Sequence, residues 1–132
     1  MPDAGLPPDL AAFRASYVTL FGTVPPLPDA KFAFSSAVDP EALRLSEQAR
    51  AHAFTSEVFD VKTTNLLILG MLLAQESPAA QFHAIAARRA GAAWEELHKV
   101  AELASVVQSL GPLNNGAALL KKMRDEEKET QP

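Results

Sequence analysis

Two polar side chains lie close together where an apolar segment of the chain ends at a proline. Glu76 comes directly before Ser77-Pro78, and His83 follows in a segment with helical character. At ~1.5 Å of rise per residue, they would be separated by no more than ~10 Å along a helix axis, so one small substrate could contact both. An imidazole beside a carboxylate can move protons. The pair predicts acid/base chemistry, with His83 and Glu76 as catalytic residues.

The position of these residues at a helix start also bears on their charges. A helix N-terminus carries a partial positive charge, which disfavours an imidazolium and favours a carboxylate. We therefore expect a neutral His83 and an ionised Glu76 near pH 7. The same pattern also fits a hydrogen-bonded core histidine and an ordinary helix-start charge, so spacing alone leaves both interpretations open.

Other kinds of chemistry have little support in the sequence. The chain has no cysteine, which excludes disulfides, thiolate metal sites and thiol catalysis. His52 and His98 are predicted on solvated helix faces, and no histidine has a partner at metal-ligand spacing, so we expect no metal site. Neither a phosphate-binding glycine loop nor a Gly-x-Ser-x-Gly elbow is present.

The charge and hydropathy of the chain narrow the partners that it could bind. Twelve Lys and Arg against 16 Asp and Glu give a formal charge of −4, which argues against a nucleic-acid partner. No apolar run is long enough to cross a bilayer. The N-terminal sequence has no secretion signal. We therefore expect a cytoplasmic protein that binds a small molecule rather than a membrane.

The elements that would position these residues are helices. A length of 132 residues suits one domain. Its apolar residues are mostly Ala, Leu and Val, which favour packed helices, and strand signals are nearly absent. We predict an all-α bundle of about six helices with enough apolar surface for an oligomer. Within it we distinguish an N-terminal helix and proline-rich connector (1–38), a helical core (39–124) and a charged tail (125–132).

Capping residues indicate where most of these helices begin and end. Gly22 and Gly91 are predicted stops, whereas Asp39-Pro40, Asp60 and Ser77-Pro78 are predicted starts.

Four segments carry further predictions about the helices. Residues 24–28 are rich in proline and are predicted outside regular helix, whereas residues 29–38 fit either a short helix or a loop. The helix that follows Asp60 is apolar on all sides and should be the buried centre of the bundle. Gly111-Pro112 should end the fifth helix, and a separate last helix should follow it.

Three segments follow one another in the order 62–70 (KTTNLLILG), 83–92 (HAIAARRAGA) and 95–97 (EEL). Together they resemble the carboxymuconolactone decarboxylase and alkylhydroperoxidase D superfamily. Upstream, 21–26 (FGTVPP) is similar to the Gly-x-Val-Pro element of longer members. The similarity spans about residues 21–120 and implies an alkylhydroperoxidase D-like fold.

The chain departs from this superfamily in two respects. The peroxidase branch needs a Cys-x-x-Cys pair before its histidine, and here those positions hold Glu76 and Ala79, which excludes thiol-based peroxide reduction. The glutamate that precedes the apolar helix in the family corresponds here to Asn65. The decarboxylase branch, which works without cysteines, is therefore the closer comparison. In it, His83 occupies the histidine position and Glu76 would replace the lost acid.

The resemblance also implies an assembly and a reaction. It implies a homotrimer or homohexamer whose sites are bounded by neighbouring subunits. It also implies cofactor-free chemistry on a small ring-cleavage product of aromatic-compound catabolism, such as a carboxylated lactone. His83 would be the acid/base, and Lys62, Asn65 and Arg88 would contact the substrate, with Lys62 or Arg88 holding a carboxylate.

The sequence thus favours a carboxy-lyase or isomerase that acts on a small carbonyl, lactone or carboxylic acid compound. Decarboxylation, double-bond isomerisation and hydration stay open, because each uses an acid/base beside a carbonyl. The alternative hypothesis is a non-catalytic oligomeric binding or scaffold protein that has kept the fold.

Overall fold

The computed structural model describes residues 5–131, and these residues form α-helices and no strand. The prediction of an all-α fold is confirmed. The six helices are α1 (Pro8–Phe21), α2 (Pro26–Val38), α3 (Pro40–Phe54), α4 (Val61–Ala74), α5 (Ala80–Arg89) and α6 (Trp94–Thr130).

Capping side chains begin two of the helices as predicted. The Asp39 carboxylate accepts a hydrogen bond from the Ala42 backbone N–H at 3.0 Å, and the Asp60 carboxylate accepts one from the Thr63 N–H at 2.7 Å. Each satisfies a backbone donor that has no partner within the helix. Gly22 ends α1 in the left-handed conformation (φ 82°), where glycine has no steric cost.

Two segments that contain proline differ from the predicted boundaries. Residues 26–28 are helical rather than excluded from helix, because Pro26 and Pro28 lie in the first turn of α2, where no backbone N–H is needed. Residues 29–38, for which the sequence left a short helix and a loop open, belong to the same helix. α5 begins at Ala80 rather than at Pro78, and Ser77 Oγ instead accepts from the Ala79 N–H within the preceding turn.

The largest difference is that Gly111-Pro112 does not end a helix. α6 continues through Pro112 as one helix of 37 residues, so the two separate helices predicted here are wrong. Pro112 deprives the Gln108 carbonyl of its usual partner. Gln108 is exposed, so water can hydrate that carbonyl. The charged tail, 125–130, is the end of the same helix.

The hydrophobic core lies between α1, α2, α3 and α5. Its buried members are Leu10, Tyr17, Phe21, Phe32, Leu43 and Ala86. Phe82 and Phe13 pack against them from the edge. This packing brings the ends of α1 and α3 against the start of α5, where His83 lies.

The apolar helix α4 is not the buried centre of the chain. It packs against α5 and α6, and Leu67 and Met71 are left 45% and 62% exposed. α6 has no buried residue at all. The apolar composition of α4 predicted a fully buried helix, but in the single chain part of its apolar surface is exposed.

Candidate functional site

His83 lies in the first turn of α5, enclosed by aromatic rings from two other helices. The Phe21 and Phe54 rings meet the imidazole edge to face, with centroid distances of 5.1 Å and 5.7 Å. Only 8% of the residue is exposed. α1, α3 and α5 must all be in place for the imidazole to take this position.

Asn65 on α4 fixes the protonation pattern of the imidazole. The Asn65 amide nitrogen donates to the Val61 carbonyl at 2.9 Å, so its Oδ1 is the atom that faces His83 Nδ1, also at 2.9 Å. A carbonyl oxygen can only accept, so Nδ1 must carry the proton. Nε2 is then the unprotonated nitrogen.

His83 Nε2 is free to act on a ligand. It has no hydrogen-bond partner among residues 5–131. Within the same residues, every side-chain nitrogen or oxygen that is fully buried has a partner, so Nε2 cannot be fully buried. Nε2 therefore reaches the cavity that His83 lines. The exposed lone pair on a fixed ring has the geometry of a general base.

The charge state of His83 suits that role. Burial and the positive charge of Arg50 lower its pKa to about 4, so the imidazole is neutral at pH 7. This direction agrees with the prediction of a neutral His83. The pKa is lowered by burial and by a neighbouring guanidinium, whereas the sequence pointed to the helix dipole.

His83 opens onto a cavity of about 630 Å³ between α1, α3, the start of α2 and the start of α5. We call it the His83 cavity. Its wall is mostly rings and prolines, among them Tyr17, Phe21, Phe54 and Phe82. Cavities of this size and composition are typical of small-molecule sites.

A group of charged residues that the sequence did not single out lies behind this wall. Glu47 is 0% exposed, and it accepts hydrogen bonds from Tyr17 Oη at 2.8 Å, Lys31 Nζ at 2.6 Å and Arg50 Nε at 2.9 Å. We call these four residues the Glu47 cluster. Burial raises the pKa of Glu47, but the three hydrogen bonds outweigh burial and hold the pKa below its usual value.

Arg50 connects the Glu47 cluster to the His83 cavity. Its guanidinium lies 3.9 Å from the centroid of the Tyr17 ring, and Arg50 also lines the cavity. One signal in the sequence could have indicated this arrangement. Leu43, Glu47, Arg50 and Phe54 recur at helical spacing on α3, which puts Glu47 on an otherwise core-facing stripe.

Glu76 is not brought to His83. It is exposed, and it forms no hydrogen bond or ion pair through its side chain with any described residue. Its backbone is left-handed (φ 53°) and closes α4, because the N–H groups of Glu76 and Ser77 donate to the Leu73 and Leu72 carbonyls, each at 3.0 Å. This is a Schellman motif with glutamate at the usual glycine position.

The predicted carboxylate-binding residues also lie elsewhere. Lys62 pairs with Glu96 at 3.2 Å, across the α4–α6 contact. Arg88 donates to the Ala92 carbonyl at 2.6 Å and stacks over the Trp94 ring at 4.4 Å. Neither residue lines the His83 cavity. Of the five predicted site residues, only His83 and Asn65 are in contact.

A second, larger cavity shares Arg50 and Phe54 with the His83 cavity. Its volume is about 1240 Å³, and Arg50, Phe54 and Asn65 are among the residues that line it. Arg50 and Phe54 are therefore accessible from both cavities.

Two absences hold for the part of the chain that the structure describes. Within residues 5–131, no group of three or more histidines and carboxylates is arranged to hold a metal ion. No described helix combines the length and the apolar character needed to span a bilayer.

Comparison with known proteins adds no relative: no protein-family model, no curated protein and no solved structure matches the chain. The resemblance drawn from the sequence stays a prediction.

Proposed function

We propose that this protein is a cofactor-free lyase or isomerase of the carboxymuconolactone decarboxylase type that moves a proton on a small carbonyl, lactone or carboxylic acid compound. The observation that carries the proposal is the fixed tautomer of His83, whose free Nε2 opens onto the His83 cavity. The aromatic wall would exclude water from the reacting atoms.

A neutral His83 would act first as a base. Its Nε2 would take a proton from the carbon beside the substrate carbonyl, and the electrons of that C–H bond would move onto the carbonyl oxygen as an enolate. The imidazolium would then return the proton to the same or a conjugated carbon. This order favours isomerisation, whereas decarboxylation would need the proton only after carbon dioxide has left.

Asn65 would be a positioning residue in this scheme. By accepting from Nδ1, it keeps the lone pair on the nitrogen that faces the cavity. Glu76, Lys62 and Arg88 have no part in the scheme, because none of them lines the His83 cavity.

The test is proton exchange, which needs no knowledge of the final product. A panel of oxo acids, simple ketones and carboxylated lactones is incubated with the protein in D₂O, and loss of the C–H signal next to the carbonyl is followed by NMR. We expect His83→Gln to slow exchange by about 100-fold or more. His52→Gln is the matched control, since His52 is exposed on α3. Equal exchange rates in the wild type and His83→Gln would contradict the proposal.

We also propose that the chain assembles as a homo-oligomer, a trimer or hexamer by the resemblance. The accessible surface is 9159 Å². A compact monomer of this mass exposes about 6,700 Å². On α6, Leu103, Val107 and Leu110 form an exposed apolar stripe at helical spacing. A second copy of the chain could cover it.

Light scattering during size exclusion tests the assembly. Val107→Glu combined with Leu110→Glu should reduce the measured mass toward 14.1 kDa, with helicity unchanged. The wild type eluting as a monomer at micromolar concentration would contradict assembly.

The same exposed surface favours the scaffold hypothesis as a second candidate. A protein whose role is assembly alone needs the α6 stripe and not the His83 base. Under that hypothesis the Val107→Glu and Leu110→Glu pair abolishes assembly, which is the function of the protein, and His83→Gln leaves assembly intact. A cytoplasmic location is part of both proposals.

A further inference from the structure

The His83 cavity has one charged side chain in an otherwise uncharged wall. Of the described residues that line it, Arg50 is the only one with a charge, and the rest are rings, prolines, one leucine, small residues and neutral polar groups. A ligand in this cavity would meet a cation and no anion. The cavity volume of about 630 Å³ leaves room for a ring-sized ligand.

The charge of Arg50 is not fully neutralised by its surroundings. The Glu47 cluster contains two cations, Lys31 and Arg50, and one carboxylate. Burial and the hydrogen bond to Glu47 raise the pKa of Tyr17, so that phenol stays neutral. The cluster therefore carries one excess positive charge, and the Arg50 side chain is only 17% exposed. A partly buried positive charge of this kind attracts an anion.

Arg50 is also held still and keeps a donor available. Its Nε donates to Glu47, and Nη2 donates to Ser16 Oγ at 2.8 Å. The Tyr17 ring supports the guanidinium from one face at 3.9 Å. Nη1 has no hydrogen-bond partner within residues 5–131. A guanidinium fixed in this way is preorganised to bind a carboxylate or similar group.

We propose that the His83 cavity binds small organic anions with an apolar body, and that Arg50 holds the anionic group beside His83. This inference rests on the proposed function in that it names the substrate class of the same site. It replaces Lys62 and Arg88, the carboxylate partners predicted from the sequence, by a residue of α3.

A bound anion would also change the basicity of His83. Helices α1, α2 and α3 bring the four titratable groups of the Glu47 cluster, Tyr17, Lys31, Glu47 and Arg50, together behind the wall of this cavity. Of these, Arg50 is the one whose charge lowers the His83 pKa. An anion paired with Arg50 would offset that charge and raise the His83 pKa, so the base strengthens only when a ligand is present. By linkage, the same anion should bind more tightly as the pH falls toward the pKa of His83.

The experiment compares a charged probe with its neutral isostere. Sodium benzoate and benzamide are titrated into the intact protein, and Kd and the His83 pKa are followed by NMR. We expect benzoate to bind at least tenfold more tightly than benzamide, because a hydrogen bond to a charged group contributes about 10-fold to 100-fold in affinity. Benzoate should raise the His83 pKa by about one unit, and benzamide should leave it unchanged.

Arg50 variants then assign the effect. Arg50→Met should bring the affinity for benzoate down to that for benzamide and should remove the benzoate-dependent pKa change. Because this variant leaves Glu47 with one cation fewer, the pair Arg50→Met with Glu47→Gln is tested beside it, so that loss of folding cannot decide the result. Arg44→Met on the same helix is the control, since Arg44 pairs with Asp9 and Glu41 away from the cavity. Benzoate binding that matches benzamide, or that survives in both Arg50 variants, would overturn the proposal.

Failure of this inference can be told apart from failure of the proposed function. If simple ketones exchange as fast as oxo acids and lose exchange in His83→Gln, the base is correct and the anion site is wrong. If benzoate binds through Arg50 but His83→Gln leaves exchange of every compound unchanged, the anion site is correct and the base is wrong.

Discussion

The molecule has a packed side and an exposed side, and its polar residues behave differently on the two. On the packed side, α1, α2, α3 and α5 enclose Glu47 and His83, and each has hydrogen-bond partners. On the exposed side, α6 has no buried residue, and its ion pairs, such as Lys99 with Glu102, lie in solvent.

The difference indicates where this fold can hold a side chain in one geometry. A buried polar group must be satisfied, so its partners fix its position. A surface ion pair contributes little and fixes little. His83 is buried and held by Asn65, and Arg50, which is partly buried, is held by its hydrogen bonds to Glu47 and Ser16. Glu76, which the sequence favoured as a catalyst, is not held in one geometry, because it is exposed and its side chain has no partner among the described residues.

The sharpest test of this contrast is the loss of one carboxylate on each side. Glu47→Ala should lower the free energy of unfolding by about 4 kcal/mol, because it leaves two cations beside an apolar core without their anion. Glu102→Ala, which removes an exposed pair with Lys99, should change it by less than about 0.5 kcal/mol. Urea denaturation followed by circular dichroism measures both. Similar losses of unfolding free energy in the two variants would show that a carboxylate on the packed side is no more important for stability than one on the exposed side.

The buried imidazole makes stability depend on pH within a defined window. The pKa of His83 is about 4 in the folded chain. It is about 6.5 in the unfolded chain. Between these values the unfolded state binds more protons, so stability should fall as the pH drops from about 6.5 to about 4, by about 3 kcal/mol in total. His83→Gln should flatten this window, whereas His52→Gln should not. Urea midpoints measured from pH 7 to pH 4 provide the comparison.

A third contrast uses asparagines. Asn65→Leu leaves the buried Nδ1–H of His83 without an acceptor, which should cost about 2 kcal/mol. The ring should also lose its tautomer preference, visible in its ¹⁵N chemical shifts. Asn115→Leu makes the same change on exposed α6, where we expect an effect within about 0.5 kcal/mol. If Asn65→Leu kept both the stability and the ¹⁵N shifts, the tautomer argument would be wrong.

Local signals in the sequence predicted the helices well. Asp39, Asp60 and Gly22 act within one turn of the chain, so their capping roles follow from neighbouring residues alone. Pro112 was misleading because the free-energy cost of a proline within a helix depends on whether water can hydrate the carbonyl that loses its partner. That exposure is set by the fold and cannot be read from neighbouring residues.

The site was predicted less well, because its contacts join residues far apart in sequence. Asn65 meets His83 only when α4 packs on α5, and Glu47 meets Tyr17 only when α3 packs near α1. Glu76 was predicted beside His83 because the two are close in sequence. The Schellman motif at the end of α4 fixes the backbone there, and it leaves the Glu76 side chain exposed.

The smallest expected effect on stability is that of replacing Glu76, and it is an increase rather than a loss. A non-glycine residue in the left-handed conformation carries a cost of about 1 kcal/mol that glycine avoids. Because Glu76 has a φ of 53°, Glu76→Gly should stabilise the protein by about that amount. Thermal unfolding measures the change as an increase in Tm.

The same substitution elsewhere provides the control. Glu102 is exposed within α6, so Glu102→Gly should destabilise by about 1 kcal/mol through the helix propensity of glycine. If Glu76→Gly is more stable and still exchanges substrate protons at the wild-type rate, Glu76 is a helix-closing residue and not an acid. If it loses exchange while its stability rises, Glu76 takes part in catalysis despite its exposed position, and the contrast between the two sides of the molecule fails at this residue.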